Sequence, residues 1–190
     1  MPLISLAQVN SKDTHLSAGV QDSILETSFV LKEHNVLFEK IYSSDLNKTD
    51  LINKLKYFLP GVKNFQLSNS ANQNADQLSG RIRDFMVNYK KFGGSDSGPG
   101  NMLAFPLNAN VIIQVKDKKY RLLITEIVFK GLQTNPSLAA VNAQFDDFIT
   151  NNDRSKIKTS QRHLETAKFV NADLSISFDM QLNNKLSSSF

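Results

Sequence analysis

The chain has 190 residues, 41% of them hydrophobic and 21% charged, enough to bury roughly two thirds of its unfolded surface and fold without a metal or disulfide. It contains no cysteine, which excludes thiol catalysis, disulfides and thiolate metal sites together. Its 22 basic and 18 acidic residues leave a formal charge of +4, compatible with an acidic partner but well short of a polycation.

Residues 1–23 are polar and without a clear period, and read as an extended arm ahead of one domain over 24–182, with a polar tail over 183–190. The start lacks a charged leader, and no window approaches the ~20 apolar residues of a membrane helix. A soluble chain made in the cytoplasm, with no membrane partner, is the expectation. Over 24–42, "ILETSFVLKEHNVLFEKIY" fits either two strands broken at "KEHN", with Asn35 in the turn, or a helix; the two-strand reading is preferred.

The segment "NKTDLINKLKYFLPG" gives a clear helix over 49–59, with Thr49 or Asp45 as cap, Leu51, Leu55, Phe58 and Leu59 as its apolar stripe, and Pro60-Gly61 as its stop. After a polar loop over 67–74, a second helix is expected over 76–91, with Leu78, Ile82, Phe85 and Met86 inward. A β-hairpin follows over 103–130, turning at "KDKK". Tyr120, Leu122, Ile124, Glu126 and Val128 should share one face of its second strand, and Arg121, Leu123, Thr125, Ile127 and Phe129 the other. Both faces then carry large apolar groups. Pro136 opens a third expected helix, over 136–150, and the alternation of Leu174, Ile176, Phe178 and Met180 predicts a last strand over 169–182. The fold class is α+β: an antiparallel sheet, from the hairpin and the C-terminal strand, packed with about three helices.

The stretch "KKFGGSDSGPGN" holds four of the eight glycines. A phosphate loop follows a strand, ends in Gly-Lys-Ser/Thr and opens a helix. Here both lysines precede the glycines and neither phosphate motif is present, so the Gly-rich loop at 93–100 reads as a join, or as a loop that orders on contact. His15, His34 and His163 are scattered, Asp146-Asp147 reads as a solvated helix face, and no serine sits in a nucleophile elbow. No catalytic residue, cofactor or metal site is therefore predicted, and a non-enzymatic protein is expected. Two basic segments offer nucleic-acid contacts: Arg81, Arg83, Lys90 and Lys91 in the first, and Arg154, Lys156, Lys158 and Arg162 in the second.

A hairpin that is apolar on both faces is either internal or covered by a neighbour. The candidate subunit interface is Ile113, Tyr120, Leu122, Ile124 and Phe129. "YRLLITEIVFKGLQTNPSLAAVNAQF" followed by "ADLSISFDMQL", within a span of about 60 residues from Tyr120 to Leu182, resembles the C-terminal part of phage tail-tube and baseplate-type structural proteins. That resemblance implies a structural subunit of a virion (tail, connector or capsid-associated), working by strand pairing with copies of itself or other subunits, and carries over no catalytic residue. A small basic nucleic-acid-binding protein is the alternative.

Overall fold

The longest alternation in the chain, over 107–116, becomes a strand in which every second side chain is buried. Around it the computed structural model describes residues 20–68, 76–95, 101–132 and 139–187. Eight strands form one antiparallel sheet: β1 (Val20–Ser23), β2 (Phe29–Lys32), β3 (Asn35–Ser43), β4 (Phe65–Leu67), β5 (Gln77–Phe85), β6 (Leu107–Lys116), β7 (Lys119–Leu132) and β8 (Val141–Gln144). The strands lie side by side in the order β1-β2-β3-β7-β6-β5-β4. β8 pairs with the far half of β7, so β3 and β8 share one edge of that long strand. The helices are α1 (Lys48–Phe58), α2 (Phe145–Ile149), α3 (Gln161–Ser177) and α4 (Met180–Ser187). The α+β architecture holds.

Several predicted elements survive with sharper detail. The β2–β3 hairpin turns on Glu33 and His34, both at positive φ, so these two rather than Asn35 supply the left-handed backbone that a two-residue hairpin needs. Asn47, not Thr49 or Asp45, caps α1, its Oδ1 accepting from Asp50 N at 3.0 Å. The β6–β7 turn docks on this cap, with Lys48 N donating to Asp117 Oδ1 at 2.9 Å.

Three elements differ in type. The helix expected over 76–91 is the strand β5, continued by a 3₁₀ turn at Tyr89–Phe92. Leu78, Ile82 and Phe85 mimic helical spacing because the inward position between the first two is Gly80, and because a register shift between Ile82 and Phe85 moves the third. Of the described residues over 139–150, Phe145–Ile149 are helical; Val141 is exposed and its segment pairs with β7 as β8. The C-terminal strand expected over 169–182 is helical. Thr166, Ala167, Val170, Leu174, Ser175 and Phe178 are buried at helical intervals, and the apparent alternation around Leu174 skips the small inward residue Ser175. Val20–Ser23, placed in the arm, pairs with β2. Residues 1–19, 96–100 in the Gly-rich loop and the start of the third expected helix at 136–138 lie outside the described residues, as do 69–75 and the last three positions.

The helices cover one face of the sheet. Phe145 of α2 packs against Phe29 at 5.0 Å and Phe129 at 6.1 Å between ring centroids, and Phe178, after α3, meets Phe65 edge-on. Tyr42 and Tyr120 stack at 4.9 Å beneath the α3–α4 turn. Tyr42 Oη donates to Ser175 O, while Tyr120 Oη donates to Phe178 O and accepts from Met180 N. Two phenols thereby satisfy the backbone groups freed where one helix stops and the next begins.

Candidate functional site: the open face of the sheet

Strand geometry sends alternate side chains to opposite faces, so covering one face by helices leaves a second set pointing away. Across β5, β6, β7 and β3 these outward residues fall into transverse rows. One row runs Ser79, Ile112, Leu123, Glu39; the next runs Gln77, Gln114, Arg121, Ile41. A third places Arg81 opposite Asn110, and Asn110 opposite Thr125. Val30 and Leu37 continue the face on β2 and β3. Among the described residues no helix lies on it, and none of its apolar residues is buried; Ile41 is 60% exposed. Antiparallel sheets that face water normally carry polar residues outward. This one carries Val30, Leu37, Ile41, Ile112, Leu123 and Val128.

Two irregularities shape the face on either side of β6. Asp84 in β5 and Glu126 in β7 both adopt left-handed backbone, with φ of 53° and 52°, where the sheet register shifts. The intervening strand pins both: Asp84 N donates to Asn108 Oδ1 at 2.8 Å, and Asn110 Nδ2 donates to Glu126 Oε2 at 2.7 Å. Between them lies a shallow basin of about 380 Å³, with Arg81, Arg83 and Lys130 on its walls. Lys130 Nζ is 3.6 Å from Asp84. Neither Arg81 nor Arg83 makes a side-chain hydrogen bond or ion pair among the described residues. Elsewhere on the face Arg121 is held by Gln114 and by Glu39, the latter at 3.1 Å.

A second depression, a groove of about 700 Å³, opens where β3 and β8 part along β7. Asp146 stands at its side and closes the gap, its Oδ2 accepting from Val36 N at 3.1 Å. Burial raises the Asp146 carboxyl above its ordinary range, against the pull of that hydrogen bond and of Arg154. The pair read as a solvated face is thus split in role. Asp146 is half-buried and structural, while the exposed Asp147 accepts from Arg154 at 2.7 Å.

The predicted interface residues do not reach this face. Ile113, Tyr120, Leu122, Ile124 and Phe129 are all buried in the chain's own core. The two-faced appearance of the hairpin has a local cause: the irregularity at Glu126 reverses the alternation, so Ile127 and Phe129 point inward with Tyr120, Leu122 and Ile124. The predicted nucleic-acid contacts do not form one patch either. Arg81 and Arg83 are on the open face. Lys90 and Lys91 lie in the 3₁₀ turn that follows β5, beside α3: Asn88 N, at its cap, donates to Asp173 Oδ2. Arg154 is engaged with Asp146 and Asp147. Lys158 Nζ donates to the carbonyls of Asp147 and Phe148, and Arg162 lies over the Phe148 ring. Burial, then the nearby Lys158 and Arg162, lower the pKa of His163 in the same cluster. Lys156 is exposed. The residues missed were Asn108, Asn110, Asp84 and Glu126. The alternation of "LNANVIIQVK" marks the two asparagines as outward; nothing in the residue pattern marks the two irregularities.

No family model matches the chain, and no curated protein matches its sequence. Among solved structures it is similar to a TBP-like protein from Parabacteroides distasonis, at 16% identity, TM-score 0.50, over 80% of this chain and 96% of that one. It is also similar to a DUF4468 family protein from Bacteroides ovatus, at 12% identity, TM-score 0.46, over 77% and 87% of the two chains. The fold shared with the first of these, a bacterial TBP-like protein, overturns the resemblance to phage tail-tube and baseplate-type proteins drawn from the C-terminal residues. The segment meant to close the sheet as a last strand is helical. At such identity the likeness concerns the fold alone.

Proposed function

We propose that this chain is a non-enzymatic binding subunit whose working surface is the open face of its sheet, and that the face is covered by another copy of the chain or by a partner protein. One observation carries the reading: aliphatic residues, partly exposed or, at Ile41, exposed, occupy outward positions on four neighbouring strands. Fully burying an exposed aliphatic side chain is worth about 1.5–3 kcal/mol, of which a partner would supply the share still exposed here, and a contiguous set of such residues is the usual mark of an interaction surface. Mass measurement by light scattering on the full chain tests it. The expected result is a species heavier than 21.3 kDa that reverts to that mass in Leu123→Lys, a substitution placed opposite Glu39 where a lysine is tolerated. A strict monomer at high concentration that retains no partner would sink the reading.

Nucleic-acid binding is the second reading, favoured by the unpaired Arg81 and Arg83. Against it, no outward position of β2 to β7 carries an aromatic ring on which a base could stack. Binding to DNA or RNA that falls steeply with salt would promote it over the first.

A further inference from the structure

We infer that the basin between Asp84 and Glu126 is a carboxylate site, and that the segment it receives is an acidic stretch of a partner protein. The inference rests on the sheet-face reading above and names the chemistry of the occupant. Three cations and two carboxylates line the basin, and several of its acceptors are engaged. Asp84 faces Lys130, Glu126 takes the Asn110 amide, and the Asn108 carbonyl oxygen is spent on Asp84 N. The guanidinium groups of Arg81 and Arg83 make no side-chain hydrogen bond or ion pair among the described residues, and they leave the basin with a net positive charge. Two cationic groups on one strand, with no partner of their own among the described residues, favour an oxyanion, and the planar guanidinium matches a carboxylate in two parallel hydrogen bonds.

The remaining features choose among sources of that oxyanion. The basin is shallow and open, whereas small-molecule sites enclose most of their ligand. Base stacking has no platform here. Val128 lines the basin and continues into the aliphatic strip, so an occupant with apolar and acidic residues meets both surfaces. Arg81 and Arg83 are alternate residues of one strand, about 7 Å apart, the interval at which acidic residues recur on one side of an extended peptide.

The test is a titration of the isotope-labelled full chain, followed by amide NMR, with a short synthetic peptide of alternating glutamate and threonine. A thymidine oligonucleotide of matched charge is run in parallel. The peptide is expected to shift amides of β5 and β6 around Arg81 and Asn110. Arg81→Gln with Arg83→Gln should weaken it by about tenfold or more while the melting curve stays unchanged. Tighter binding of the oligonucleotide at the same amides would overturn the assignment of the occupant. If neither probe shifts these amides while the chain still associates in a Leu123-dependent way, this inference alone falls. If association is also indifferent to Leu123→Lys, the sheet-face reading falls with it.

Discussion

Tyr42 and Tyr120 each do two things that phenylalanine could not do together. Their rings fill the core under the α3–α4 turn, and their hydroxyls satisfy backbone groups there. Burial pushes both phenols far above the ordinary value near 10. The folded chain therefore keeps these protons to higher pH than the unfolded chain. The associated stability is intact below about pH 10 and is lost as pH rises further, by roughly 1.4 kcal/mol per unit for each tyrosine. Urea unfolding measured between neutral and strongly alkaline pH should show that slope, and Tyr120→Phe should remove one proton's share of it. At neutral pH the same substitution should cost about 1–3 kcal/mol, since it leaves Phe178 O and Met180 N without their partner. Gly80 is the other residue on which a whole element turns. A Cβ there would lie 2.3 Å from the Phe65 ring and 2.5 Å from Gln66 O. Gly80→Ala should lower stability by about 2–3 kcal/mol, read from the denaturant midpoint, because the edge strand β4 must shift to admit it.

At the scale of elements, legibility followed the size of the inward residues. α1, the β2–β3 hairpin and the β6–β7 hairpin bury large aliphatic or aromatic groups at regular intervals, and each was visible in the sequence. β5 was hidden because one of its inward residues is glycine. α3 was hidden because Thr166, Ala167 and Ser175, all buried, look like surface residues. The two hydroxyls behave differently: Thr166 Oγ1 donates to Arg162 O one turn earlier, whereas Ser175 Oγ has no partner among the described residues. The same lesson holds for the face. The outward arginines were picked out by charge, but the irregularity at Glu126 that aims β7 could not be read from residue types. It gives a sharp prediction. Leu123→Lys should stay folded within about 1 kcal/mol, whereas Ile127→Lys, four residues along the same strand, should lose roughly 4 kcal/mol or more, because it buries a charge. Circular dichroism melts of the two variants decide it. If alternation ran unbroken through β7, the two substitutions would behave alike.

Taken as a whole, the molecule is a sheet with helices on one side and a mixed aliphatic and basic surface on the other. The two components of that surface respond differently to salt. Association through the aliphatic strip should change little between low and physiological ionic strength. Capture of an acidic segment at Arg81 and Arg83 should weaken, because exposed charges are screened over about 8–10 Å. Sedimentation with and without added salt separates the contributions. A complex that dissociates fully with modest salt would assign the binding to charge and leave the aliphatic strip without a role.

The pairing of β3 with β7 also sets an order in time. It joins residues about eighty positions apart, whereas β6 and β7 meet across a two-residue turn and β5 lies just ahead of them. Closing a long loop costs entropy before any contact repays it, so the β5–β6–β7 meander should form first and the β1–β3 segment should dock afterwards. Until then the β7 edge over 119–124 is an unpaired template for other chains. Pulse-labelled hydrogen exchange during refolding should find the amides shared by β6 and β7 protected before those shared by β3 and β7. Refolding at high concentration should aggregate in that interval.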